Sequence, residues 1–181
     1  IYPYMSKLCK EDDDIKEKCA SITKMLQDGD ALYEKYYKKI FELSSNDIKR
    51  IYKYLDVDFD LWYGEMSSRK YIPYVEDILN KKNLATISDG AMVVDVSDSS
   101  DSKEIPPLIF KKSNGAYLYG STDMATIYQR EIDYKPDYIL YVADLRQSLH
   151  FKQVFRASLK SGITDASLEH LGFGTINGVD G

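Results

Sequence analysis

The run PDYILYVAD, residues 136–144, is almost uninterrupted in apolar residues and lies between two segments with helical periodicity. Short continuous apolar strands of this kind belong to parallel sheets covered on both faces; half-solvated antiparallel strands alternate instead. Ahead of it, AYLY at 116–119 predicts a strand that leads into a helix over about 122–132. Behind it, RQSLHFKQVFRASLKSG at 146–162 predicts a helix stopped by Gly162, and LEHLGFGT at 168–175 predicts a further strand. Strand, helix, strand, helix, strand is the order of a parallel α/β sheet. Ligands of such sheets bind in the crevice at the carboxyl ends of the strands.

The remainder of the chain is organised differently. Residues 7–28 place Ile15, Cys19, Ile22, Met25 and Leu26 at helical spacing, and Asp28-Gly29-Asp30 breaks the pattern. A second amphipathic helix is predicted from Ala31 to Leu43, with Leu32, Tyr36, Ile40 and Leu43 on one face. SSND at 44–47 offers a fresh N-cap for a third helical piece. These stripes predict a layer of packed helices. VDFDLWYG at 57–64 alternates and predicts a strand, and YIPYVEDILNKKN predicts a short helix with Pro73 near its start. Three strands are predicted at 85–88, 91–96 and 108–112, the first two joined by a tight turn at Ser88-Asp89-Gly90. SDSSDSKEIPP at 97–107 reads as a polar loop. The expected organisation is a helical part over 1–55, a strand, helix and β-hairpin insertion over 56–113, and Rossmann-like strands and helices over 114–181.

Charge and cysteine content narrow the function classes. The chain has 181 residues and a net charge of -5, against a strongly basic surface that would bind nucleic acid unaided. Its two cysteines, Cys9 and Cys19, stand ten apart in a helical stretch, far from His150 and His170. That predicts two reduced thiols in a reducing compartment, with no disulfide and no zinc ligand set. No apolar run approaches the ~20 residues of a membrane span, and the first residues do not read as a signal peptide. The chain starts on Ile and ends on an open turn, as if cut from a longer protein, so absent targeting signals carry little weight.

The polar residues of interest fall at the predicted strand ends. Tyr119 closes one strand and Asp123 opens the following helix; Asp144, Arg146, Gln147 and His150 follow the next strand; Gly174, Thr175 and Asn177 follow the third. On pattern alone Asp123 is either an acid favoured at a helix start or a ligand. Gln147 and His150 carry the same two readings, and His170 reads as structural. GFG at 172–174 is neither a GxGxxG fingerprint nor a P-loop.

YLYGSTDMATI, YILYVADLRQSLHFKQVF and LEHLGFGTINGVDG together resemble arginyl-tRNA synthetase, a class I aminoacyl-tRNA synthetase. VDFDLWYGE followed by YIPYVEDILNKKNL resembles it too, and the likeness runs in order from about residue 10 to the end. The resemblance implies a Rossmann-like α/β catalytic domain carrying insertions. It implies attachment of L-arginine to tRNA(Arg) through an arginyl-adenylate, with ATP and its Mg2+ as substrate, no tightly held protein metal, no membrane partner, and a cytoplasmic setting with an organelle left open. It assigns Tyr119, Asp123 and Gln147 to the arginine, and His150, Phe173, Gly174, Thr175 and Ile176 to ATP. A carboxylate accepts two donors of a guanidinium fork at once, a match that a lysine ammonium cannot make.

The departures from the family are equally specific. His-x-Gly-His occurs nowhere in the chain, and the family's KMSKS-type lysine loop would begin just after Gly181. Without the groups that stabilise phosphate charge, the chain is expected to be inactive alone. A non-catalytic binding or interaction module that keeps a synthetase-like half-fold is the alternative.

Overall fold

The computed structural model describes residues 1–175 and 178. The chain divides into two compact units, Ile1–Trp62 and Tyr63–Gly181.

The first unit is helical. It contains α1 (Tyr2–Glu11), α2 (Asp13–Gln27) and α3 (Ala31–Tyr54). The single predicted segment over 7–28 is two helices, because Asp12 is extended and its carboxylate accepts from Ile15 N as the N-cap of α2. Asp30 caps α3 in the same way, accepting from Leu32 N and Tyr33 N. The predicted break at SSND does not occur. Asp47 instead pairs with Arg50 three residues on, so the polar run is a solvated face of one continuous helix. The apolar stripe of α3 stays exposed, contrary to the packed layer expected of it: Leu32, Tyr36, Ile40 and Leu43 are all more than half accessible. Residues 57–64 form no strand. Their alternation serves an aromatic cluster, with Phe59 and Trp62 edge-on to each other and both packed on Tyr52.

The second unit carries the core. After two 3-10 turns, α4 (Ile72–Lys81) starts with Pro73 in its first turn. An antiparallel sheet follows, in the order β1 (Ala85–Ser88), β2 (Ala91–Val94), β3 (Leu108–Lys111). Asp89 and Gly90 both take positive φ, 48° and 76°, as the two-residue hairpin turn requires. Then come α5 (Tyr119–Tyr134), β4 (Tyr138–Asp144), α6 (Ser148–Ser161) and β5 (Ser167–Phe173). Strands β4 and β5 pair in parallel, from Tyr138 opposite Ser167 to Asp144 opposite Phe173, so their carboxyl ends coincide.

One apolar cluster joins these elements: Ile72, Val75 and Leu79 of α4, Val94 and Phe110 of the sheet, Met124 and Ile127 of α5, and Phe151 and Val154 of α6. Each such side chain contributes about 1.5–3 kcal/mol when fully buried. Gly162 ends α6 at φ 63°, and the Lys82 ammonium caps it by donating to the Ser161 carbonyl at 2.8 Å.

The α/β class and the parallel pairing agree with the sequence, but two details differ. AYLY is not a strand of the parallel sheet. The turn at Asn114-Gly115 sends the chain back along β3, where Tyr117 makes a lone antiparallel bridge with Lys111. Nor is β4 covered on both faces: Tyr138, Leu140 and Val142 are 46–64% exposed, while Ile139 packs inward. Its continuous apolar character therefore includes a face that the described residues leave open.

Candidate functional site

Helix α5 begins three residues earlier than its sequence pattern indicates. Leu118 is the N-cap, and Ser121 Oγ accepts from Leu118 N while donating to Leu118 O. Tyr119 is thus the first residue of the helix rather than the end of a strand, and Asp123 lies in its second turn. Spaced four apart on one helix, the two side chains share a face. Gly120 between them seats the helix on β3: a Cβ there would stand 2.7 Å from Leu108 Cδ1 and 3.3 Å from the Ile109 carbonyl.

Opposite that face stands the start of α6. Asp144 at the end of β4 accepts from Arg146 N and from its guanidinium, and this sets a 3-10 turn over Leu145–Gln147. Those bonds hold the Asp144 carboxyl down at about 2. The turn delivers Gln147 and, one helical turn on, His150. The His150 Nε2 lies 2.6 Å from Asp123 Oδ2. With the carboxylate ionised, Nε2 carries the proton in this contact.

Tyr119, Asp123, Gln147 and His150 all line one cavity of about 540 Å³. Its remaining walls were not singled out by sequence. Glu65 lies on one side, and its carboxylate accepts from Thr122 Oγ1 at 3.2 Å. Tyr63 and Tyr134 meet hydroxyl to hydroxyl at 3.1 Å on another. Arg130 sits 4.8 Å from the ring centre of Tyr141, a cation over an aromatic face. Burial pushes the Tyr141 phenol up to about 12, with Arg130 opposing and Asp123 adding to the shift. Glu65 follows directly on the aromatic run LWYG, and an acid there is the one sequence signal that could have drawn attention to this wall.

Of the residues assigned to ATP, His150 lines this cavity, and the others described do not. Phe173 ends β5 and is 54% exposed. Gly174 and Thr175 follow it outside any strand, and none of the three lines the cavity. Ile176 and Asn177 lie outside the described residues. His170 packs on Phe151, ring centres 4.6 Å apart, which accords with a structural part. Among the described residues no three His, Cys, Asp or Glu converge as a metal site, and no helix is long and apolar enough to cross a membrane.

Chemically, the cavity brings two carboxylates, Asp123 and Glu65, together with several phenols, the carboxamides of Gln129 and Gln147, and the Arg130 guanidinium, which lies over the Tyr141 ring. Asp123 Oδ2 is engaged by His150, but each carboxylate oxygen has two acceptor positions. The site therefore retains capacity for a planar cation presenting several N–H donors.

The chain matches the family model described as tRNA synthetases class I (R), catalytic domain, over residues 1–181. The arginine–tRNA ligases of Agathobacter rectalis and Alkaliphilus oremlandii are 45% and 47% identical to it over 183 residues. Those matches cover 100% of this chain but 31% of each relative, so the chain spans about a third of the curated relatives. Among solved structures, the arginyl-tRNA synthetase of Plasmodium falciparum superposes with a TM-score of 0.75 at 28% identity, over 94% of this chain and 30% of that one. The Thermus thermophilus arginyl-tRNA synthetase shares the fold at a TM-score of 0.55 and 19% identity, over 83% of this chain and 34% of its own.

Proposed function

The chain belongs to the family of class I arginyl-tRNA synthetase catalytic domains, and from that premise we propose that the α5–α6 cavity is the arginine-recognition half of an arginine–tRNA ligase. In the full-length protein, arginine is activated with ATP to arginyl-adenylate and passed to tRNA(Arg), in the cytoplasm. The observation that carries this reading is Tyr119 and Asp123 on one face of α5, with Gln147 and His150 facing them across a single cavity.

Asp123 accepts the guanidinium fork of the substrate, and Tyr119 offers its phenol oxygen or packs its ring beside the fork. Gln147 faces the amino-acid end. Glu65, in the same cavity, adds a second negative charge that favours a cation over a neutral side chain of the same size. Phe173 at the end of β5, with Gly174, Thr175 and Ile176 next in sequence, receives the adenine and ribose of ATP together with His150. Mg2+ enters with the triphosphate as its counter-ion and draws on none of these residues. The charge that develops on the phosphates is stabilised by groups outside this chain, so the chain alone does not activate arginine.

Arginine-dependent ATP–pyrophosphate exchange tests the reading on both the chain and the full-length protein. Exchange by the full-length protein and none by the chain is the expected pair of results. Clear turnover by the chain alone overturns its proposed inactivity. An arginine-independent, inactive full-length protein overturns the ligase reading in favour of a non-catalytic module.

A further inference from the structure

Cys9 lies on α1 and Cys19 on α2, and both are half-buried free thiols. In one continuous helix, ten positions would separate them by ~15 Å along the axis. The break at Asp12 instead packs α1 against α2, and the two Sγ atoms stand 3.6 Å apart, with the Cys9 thiol donating to the Cys19 sulfur. A disulfide needs an S–S distance of about 2.05 Å. The remaining approach of roughly 1.5 Å is within reach of side-chain rotation. Neither α1 nor α2 has a fully buried side chain.

We propose that Cys9 and Cys19 form an oxidisable dithiol, closed by a peroxide into a disulfide that clamps α1 to α2. One thiolate attacks a peroxide oxygen; the O–O bond breaks, a sulfenic acid forms and hydroxide leaves. The second thiolate attacks the sulfenic sulfur; the S–O bond breaks, the S–S bond forms and a second hydroxide leaves. With the two thiol protons, the hydroxides become two waters, so two thiols are oxidised and one peroxide is reduced. The hydrogen bond to Cys19, then burial and the charges of Cys19 and Asp12, hold the Cys9 thiol above its ordinary value, against Lys16. The cross-link restricts the unfolded hairpin, and this stabilises the folded one.

The test treats the intact chain with one equivalent of hydrogen peroxide at low protein concentration, followed by alkylation, trypsin digestion and mass spectrometry. Lys10, Lys16 and Lys18 lie between the cysteines, so trypsin separates the two unless a disulfide joins them. The expected product is a linked Cys9–Cys19 peptide, a mass lower by two hydrogens, and reversal by dithiothreitol. Proteolysis within α1 and α2 should slow roughly tenfold or more after oxidation. Cys9→Ser and Cys19→Ser should each stop at a sulfenic acid trapped by dimedone. Separate oxidation of the two thiols in the wild-type chain, or only intermolecular dimers, would overturn the proposal. The wild-type result decides this even if a serine variant fails to fold.

Discussion

His150 Nε2 and Asp123 Oδ2 are 2.6 Å apart, joining the start of α6 to the second turn of α5 across the cavity. Both side chains are about 30% exposed, so the contact is shielded but reachable by a small polar ligand. It ties the orientation of the carboxylate proposed to receive arginine to the turn that follows β4.

Removing that tie should loosen Asp123 without removing its charge. For His150→Ala in the full-length protein, the arginine KM is expected to rise about tenfold, the scale of one hydrogen bond to a charged group. His150→Gln keeps a side-chain N–H donor and should recover most of the loss. Steady-state kinetics on the two variants make the comparison, and equal defects would show that donation to Asp123 is not what His150 supplies.

Gly120 sets the seat of the helix that carries Tyr119 and Asp123. Ala in its place puts a methyl 2.7 Å from Leu108 Cδ1 and 3.3 Å from a backbone carbonyl, and the carbonyl cannot swing aside as a side chain does. Gly120→Ala should therefore cost about 1–3 kcal/mol by overpacking. Urea denaturation of the chain measures it as a lower midpoint with an unchanged slope.

Asp101 anchors the polar loop to α6. Its carboxylate accepts from both terminal nitrogens of Arg156, at 2.6 and 2.8 Å, and from Lys152 at 2.9 Å. The Arg156 guanidinium, then the Lys152 ammonium, hold the Asp101 carboxyl far below the usual carboxylate range. A depressed folded-state value means stability that is fully present above the unfolded value, about 3.9, and lost as pH falls below it. Asp101→Asn should therefore destabilise the chain at pH 7, and the gap from wild type should narrow steadily below about pH 4. Denaturation midpoints measured across that range test it, and a constant gap would contradict the ion-pair account.

The sequence was legible where local chemistry decides the outcome. Asp89-Gly90 imposes its hairpin turn, Pro73 opens α4 and Gly162 closes α6, each by a backbone preference that tertiary packing does not override. It misled where a polar run has two uses. Gly120 and Ser121 read as lying before a helix that starts at about 122, yet Ser121 bonds back to Leu118 and both belong to the helix. The alternation at 57–64 reads as pleating, but the aromatics cluster on Tyr52 instead. At the site, the four-residue spacing of Tyr119 and Asp123 was visible, but the reason for it, a shared helical face, depended on where α5 begins. Tyr63 and Tyr134 could not be reached this way. They join the cavity from a loop and a helix end that only the tertiary fold brings beside α5.

Asp123 is the residue proposed to receive the guanidinium of arginine, and Asp123→Asn in the full-length protein tests that assignment most directly. Asparagine keeps the size and removes the charge. Loss of a charge-assisted pair predicts an arginine KM about 10- to 100-fold higher in ATP–pyrophosphate exchange, with the ATP KM little changed. Equal rises for both substrates, or no change for arginine, would contradict the assignment.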